Sequence, residues 1–285
     1  MKEEKREISA EDGTRLAIWG IPSPIPAIGN VLLTHGTCSD RKICLGIAKY
    51  LARSGLNCWI LEWREHGESA FSPEPFNFDT IATQDLKTAI RFINASGSKL
   101  PLFFLGHSGG GIALSLLLAR EPSLQHQFQG IVLIAAQAFD GARVQNNRIW
   151  LTLIKFMCWV LEELPGPWFG LGPHREKYFI MKQWFNWNLS GKFLGSDQFD
   201  YMIGVRQIEV PVLGLAAEGD RLIAPAEGCQ SLIEAFGSPE KKFISCGKSS
   251  GFSDNFSHGR LLLSKPAARE VWPLIHRWIL GRLPP

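Results

Sequence analysis

The chain has 285 residues, 45% hydrophobic and 20% charged, with 30 basic against 27 acidic side chains for a net charge of +3. That balance excludes a nucleic-acid binder driven by bulk charge, since such domains carry a concentrated basic surface, and the apolar fraction excludes intrinsic disorder. The aromatic set is lopsided, with 10 Trp and 18 Phe against 3 Tyr, which points to dry, bulky burial or an apolar binding surface.

In chain order, segments 6–9 and 15–19 flank Glu11-Asp12-Gly13 and predict an N-terminal hairpin. Short apolar runs follow at 31–34, 57–61, 101–105, 130–135, 210–216 and 242–245. Most are continuous runs without in-out alternation, as expected of parallel strands buried on both faces. Helical patterns lie between them at 42–53, 80–94, 110–120, 225–236 and 266–280. The alternation predicts an α/β fold with a mostly parallel, doubly wound sheet. It breaks once: from about 140 to 204 no strand is expected, and the segment reads as helical and amphipathic. Residues 1–140 and 204–285 are therefore expected to form one catalytic-type core, with 141–203 as a helical lid insertion placed after a strand end.

Six cysteines, at 38, 44, 58, 158, 229 and 246, form no C-x-x-C pair. Neither metal spacing nor a disulfide framework is expected; free buried thiols in a reducing compartment are. The N-terminal sequence MKEEKRE lacks the apolar core of a secretory signal. The greasiest stretch, 149–161, contains Lys155 and falls short of the roughly 20 apolar residues of a bilayer span. A cytoplasmic protein without a transmembrane segment is the expectation.

The most informative stretch is 101–114, PLFFLGHSGGGIAL. A buried strand, then Gly106-x-Ser108-x-Gly110, then a small-residue helix is the context that turns a weak motif into a nucleophile elbow. The turn leaves no room for side chains at Gly106 and Gly110 and exposes the Ser108 hydroxyl at the carboxyl edge of the sheet. A phosphate-binding loop would need Gly-Lys-Ser/Thr, which is missing.

With these residues the chain resembles the α/β-hydrolase superfamily along nearly its whole length. Within it, the chain looks most like serine hydrolases of the monoglyceride-lipase and lysophospholipase type. His35-Gly36-Thr37 follows the strand at 31–34. Residues 62–69, EWREHGES, resemble the family turn D-x-R-G-x-G-x-S, with Glu62 for the usual Asp and Glu65 for the usual Gly. The resemblance implies the chain order nucleophile, acid, histidine. Among the histidines after Ser108, His126 and His174 precede the last two strands and His276 lies in a helical pattern, so His258, in the loop after the final strand, takes the base position. The family pattern G-x-x-D points to Asp220 as the acid, with Glu218, Asp254 and Asp140 as other candidates. Asp220 would fix the His258 tautomer and stabilise its cation. The oxyanion donors would be the N–H groups of Gly109 and, by analogy, Thr37, each worth about 3–4 kcal/mol of barrier. Cys38 lacks the elbow context of a nucleophile, and His35 reads as a loop organiser.

Ser108 stands where dehalogenases and epoxide hydrolases of the fold carry Asp and polyester synthases usually carry Cys, which leaves acyl transfer from an ester, thioester or amide. The expected insertion concentrates the aromatics: 14 fall in the 63 positions from 139 to 201, against 31 in the whole chain. Trp150, Ile154, Met157 and Leu161 recur at helical spacing and suit a core stripe. Some of this surface should still face the cleft, with Trp150, Trp159 and Trp184 as candidate substrate contacts. An apolar pocket favours acyl chains or hydrophobic esters. The lack of an acidic cluster in the lid argues against peptides with basic termini. Transient contact with a membrane surface ranks lower. The expectation is a serine esterase acting on a small lipophilic ester, needing no metal or organic cofactor and no nucleic acid. An acyltransferase with the same triad and a non-catalytic binding protein are the alternatives. Oligomeric state is not legible.

Overall fold

Continuous apolar runs become the parallel interior of an eight-stranded sheet in the computed structural model, which describes residues 2–143 and 147–283. β1 (Glu4–Ser9) and β2 (Arg15–Ile21) form the N-terminal hairpin, paired antiparallel through a turn containing Gly13. β3 (Gly29–Thr34) leads through α1 (Lys42–Ala52) to β4 (Leu56–Leu61), the strand against which β2 also pairs antiparallel. A long helix follows: α2 (Phe78–Thr80) passes through a π-helical stretch, Ile81–Leu86, into α3 (Lys87–Ala95). β5 (Leu102–His107) then enters α4 (Gly109–Arg120), and β6 (Phe128–Ile134) completes the first half.

Beyond β6 the chain leaves the sheet for α5 (Asn147–Leu161), β7 (Glu163–Pro165), α6 (Gly166–Phe169), β8 (Arg175–Lys177), α7 (Tyr178–Ser190) and α8 (Tyr201–Val205). It returns as β9 (Val212–Ala217), α9 (Ala226–Ala235), β10 (Lys241–Cys246), α10 (Arg260–Leu263) and α11 (Lys265–Leu280). The order across the sheet is β1-β2-β4-β3-β5-β6-β9-β10, parallel from β4 onward. Every residue of β3, β5 and β9 is buried, because α1, α10 and α11 cover one face, while α3, α4 and the inserted segment cover the other.

Two details of the insertion differ from the sequence reading. It contains a small antiparallel ribbon, β7 with β8; three-residue strands carrying Glu163, Pro165 and Arg175 leave no periodic signal. The buried stripe of α5 is Asn147, Leu151, Ile154 and Cys158, whereas Trp150 and Leu161 point outward. A helix apolar on nearly all sides offers no contrast from which to fix the orientation of its stripe. The insertion is held to the core by Asp79, whose Oδ2 accepts from the Ser196 N–H and hydroxyl at 2.7 Å and from Gln183 at 3.0 Å.

Candidate active site

Ser108 occupies the corner between β5 and α4 with φ 52° and ψ −122°. This region of backbone space costs a side-chain-bearing residue about 1–3 kcal/mol and persists only where surroundings enforce it. Here the Ser108 N–H donates to the Ile134 carbonyl at 2.7 Å, tying the corner to the end of β6. The flanking glycines are required by contact. A Cβ at Gly106 would lie 2.5 Å from the Gly111 nitrogen, and one at Gly110 would lie 2.5 Å from the His35 carbonyl oxygen. Gly109 begins α4, so its N–H has no acceptor within the helix and is available to an anion beside Ser108.

Asp220 and His258 come from loops after β9 and β10, at the same carboxyl edge. Asp220 Oδ2 stands 2.5 Å from His258 Nδ1, and both side chains are buried. Asp220 also accepts the N–H groups of Ile223 and Ala224, each at 3.1 Å. Burial works against its charge, but the adjoining imidazole and these donors prevail and hold the carboxyl below the usual range. With Nδ1 engaged by the carboxylate, Nε2 is the nitrogen left for proton exchange. His107, next to Ser108, fixes the His258 loop: its ring packs 4.8 Å from the His258 ring and its Nε2 lies 3.3 Å from the His258 carbonyl oxygen. Burial pushes His107 down to about 3, so it is neutral and Nε2–H can donate.

His35 is likewise neutral and fully buried, its pKa pushed down to about 3 by burial. Its Nδ1 faces the Gly36 carbonyl at 2.8 Å and its Nε2 accepts from the Trp63 N–H at 3.3 Å, so it organises the loop carrying Thr37. The Cys38 thiol is buried and raised far above its ordinary range by desolvation, leaving no thiolate to act as nucleophile. The alternative acids lie elsewhere: Asp254 pairs with Arg260, Asp140 with Arg143 and Ser231, and Glu218 accepts from the Ser249 N–H. His276 packs on Tyr50 of α1, and His174 pairs with Asp40. In the turn after β4, Glu65 stands at φ 61°, which explains why glycine is usual there.

Ser108, Gly109 and Thr37 border one narrow cavity with Phe78, Leu171, Met181 and Trp184. Its free space is about 20 Å³, room for roughly one water molecule. None of the described residues lining it is charged. Of the three tryptophans singled out in the sequence, Trp184 is buried in this wall and donates its indole N–H to the Gln137 carbonyl at 3.2 Å. Trp150 and Trp159 face away from it, more than half exposed on α5.

The mostly parallel eight-stranded sheet, its strand order and the helices that flank it are those of an α/β-hydrolase fold. The profile of the family described as "Serine aminopeptidase, S33" matches residues 26–181, more than half of the chain. The chain belongs to that family. A carboxyl esterase from Bacillus coagulans superposes with a TM-score of 0.70 at 15% identity over all of both chains. A monoacylglycerol lipase from Paleococcus ferrophilus gives 0.63 at 17% identity, covering 94% of this chain and 99% of its own. The uncharacterized protein YfhR of Escherichia coli O157:H7 is 25% identical over 152 residues, 49% of this chain. The chain spans about half the length of that curated relative.

Proposed function

We propose that Ser108, His258 and Asp220 form a catalytic triad that cleaves a lipophilic carboxylic ester through an acyl-enzyme on Ser108. The observation carrying this reading is the strained Ser108 at a strand-to-helix corner, at the same sheet edge as a buried Asp220–His258 pair. Ser108 attacks the carbonyl carbon, His258 takes its proton and returns it to the leaving alcohol, and water repeats the sequence to release the acid. The N–H groups of Gly109 and Thr37 would receive the oxyanion. Segment 141–203 acts as the lid. An uncharged, largely apolar wall beside Ser108 supports acyl chains over peptides, since an aminopeptidase needs a carboxylate to receive the substrate ammonium group. The cavity is too small for an acyl chain, so substrate entry requires displacement of lid residues such as Met181 and Trp184.

A fluorophosphonate probe should label wild-type protein at Ser108 alone and leave Ser108→Ala unlabelled. Labelling unchanged in that variant would end the proposal. With p-nitrophenyl esters from acetate to palmitate, kcat/KM should rise beyond acetate, by up to roughly fourfold per methylene accommodated. An optimum at acetate would contradict a lipophilic pocket.

The outer ridge of α5 supports contact with a lipid–water surface. Ile149, Trp150, Leu153, Phe156, Trp159 and Val160 are 54–62% exposed, a contiguous apolar face of the kind that marks an interaction site. No described helix is long and apolar enough to cross a membrane. In vesicle flotation, Leu153→Glu with Phe156→Glu should reduce co-flotation severalfold while leaving hydrolysis of dissolved p-nitrophenyl butyrate unchanged. Equal flotation of both proteins would remove the ridge from the account. All six cysteines are buried and free, which fits a reducing, cytoplasmic location.

A further inference from the structure

The lid ribbon reaches the loop next to Ser108 and fixes its shape. Cys38, directly after Thr37, has φ 60°, a conformation that a side-chain-bearing residue keeps only where neighbours hold it. The lid supplies those neighbours. The Glu176 carboxylate of β8 accepts the Cys38 N–H at 2.9 Å, and the His174 N–H donates to the Cys38 carbonyl at 3.1 Å. Gly172 approaches so closely that a Cβ there would stand 2.1 Å from the Cys38 carbonyl oxygen. Glu176 is itself buried, and the oxygen that receives Cys38 also lies 3.0 Å from His66 Nε2. His66 turns its other nitrogen, Nδ1, to the Arg64 carbonyl at 2.8 Å. Both ring nitrogens face acceptors, and only the imidazolium can donate to both. Two more pairs fasten the same segment to the core, His174 with Asp40 and Lys177 with Glu65.

We propose that Glu176 is a positioning residue for ester hydrolysis: it holds the Thr37–Cys38 peptide in the shape that presents the Thr37 N–H to the oxyanion, and His66 locks it there. Seating of the lid ribbon and stabilisation of the transition state are thereby one event. This rests on the reading of Ser108 as nucleophile and Thr37 as donor.

Burial opposes the charge on His66, but the Glu176 carboxylate and the hydrogen bonds to Glu176 and the Arg64 carbonyl outweigh it and push the pKa up to about 9. Of the other groups around it, Asp85, though paired with Arg64, adds to the rise, while the neighbouring His35 is neutral. Because the folded pKa is raised, the lock is complete below about 6.5, persists to about 9, and is lost as pH rises through that value.

The test measures kcat and KM for p-nitrophenyl butyrate, with amide hydrogen exchange at Cys38, in wild type, Glu176→Gln and Glu176→Ala. Glu176→Ala should lower kcat about 10- to 100-fold, less than outright removal of an oxyanion donor, with KM within about threefold and faster exchange at Cys38. Glu176→Gln keeps an oxygen for the Cys38 N–H and should recover most of the neutral-pH kcat. It should lack the fall in kcat near pH 9 expected of wild type. Unchanged kcat or unchanged Cys38 exchange in Glu176→Ala would overturn the inference and leave Ser108 untouched. If the alanine variant does not fold, a Glu176→Gln pH profile identical to wild type overturns it equally. Wild-type protein without ester hydrolysis would instead overturn the reading of Ser108, while exchange at Cys38 would still report whether Glu176 holds the loop.

Discussion

Ser108→Ala should lower kcat for p-nitrophenyl butyrate by about 10⁴- to 10⁶-fold, and adding His258→Ala should cost almost nothing more. The non-additivity follows from the chemistry: the histidine assists only by moving the serine proton, so either loss removes the whole nucleophilic route. What remains would be hydrolysis assisted by binding and by the proposed oxyanion donors, the N–H groups of Gly109 and Thr37. The fold should survive, because the Ser108 conformation is enforced by the Ile134 carbonyl and by the crowding around Gly106 and Gly110, none of which involves its hydroxyl. Circular dichroism should match wild type. Losses that add in the double variant would mean that the two side chains act in separate events, and His258 would lose the role of base.

Asp220→Asn should lower kcat by about 10⁴-fold, as for an equivalent change in other serine triads, with little change in KM. The carboxylate accepts Nδ1–H of His258 at 2.5 Å and so leaves Nε2 free. An amide at this place can present its NH₂ to Nδ1 and favour the opposite tautomer, with the proton on Nε2 where a lone pair is needed. Asn also has one carbonyl oxygen where Asp220 uses both of its oxygens to cap the Ile223 and Ala224 N–H groups, so a modest loss of thermal stability, of order 1 kcal/mol, is expected alongside. A kcat within tenfold of wild type would remove Asp220 from the mechanism.

The core was legible where burial leaves a compositional trace. β3, β5 and β9 are buried on both faces, so each needs a continuous apolar run, and such a run is visible in one dimension. The β5–α4 corner was legible because its crowding permits only glycine at 106 and 110. The insertion was less so. α5 is apolar toward both core and solvent, which hid the orientation of its stripe and put Trp150 and Trp159 forward as pocket residues when they face outward. β7 and β8 are too short to repeat anything. Glu176 pairs with His66 across 110 residues, a relation that no local pattern encodes. A signal was available in the turn after β4, where Glu65 and His66 put ionisable groups into a segment that folds inward. Their partners, Lys177 and Glu176, are neighbours in the insertion.

The most direct measurement is a rapid acid quench of wild-type protein with excess p-nitrophenyl butyrate, followed by mass analysis of its peptides. The account expects a burst of p-nitrophenol approaching one equivalent and a butyryl group on the peptide carrying Ser108. Steady turnover with the acyl group on another residue, such as a histidine or a cysteine, would contradict it.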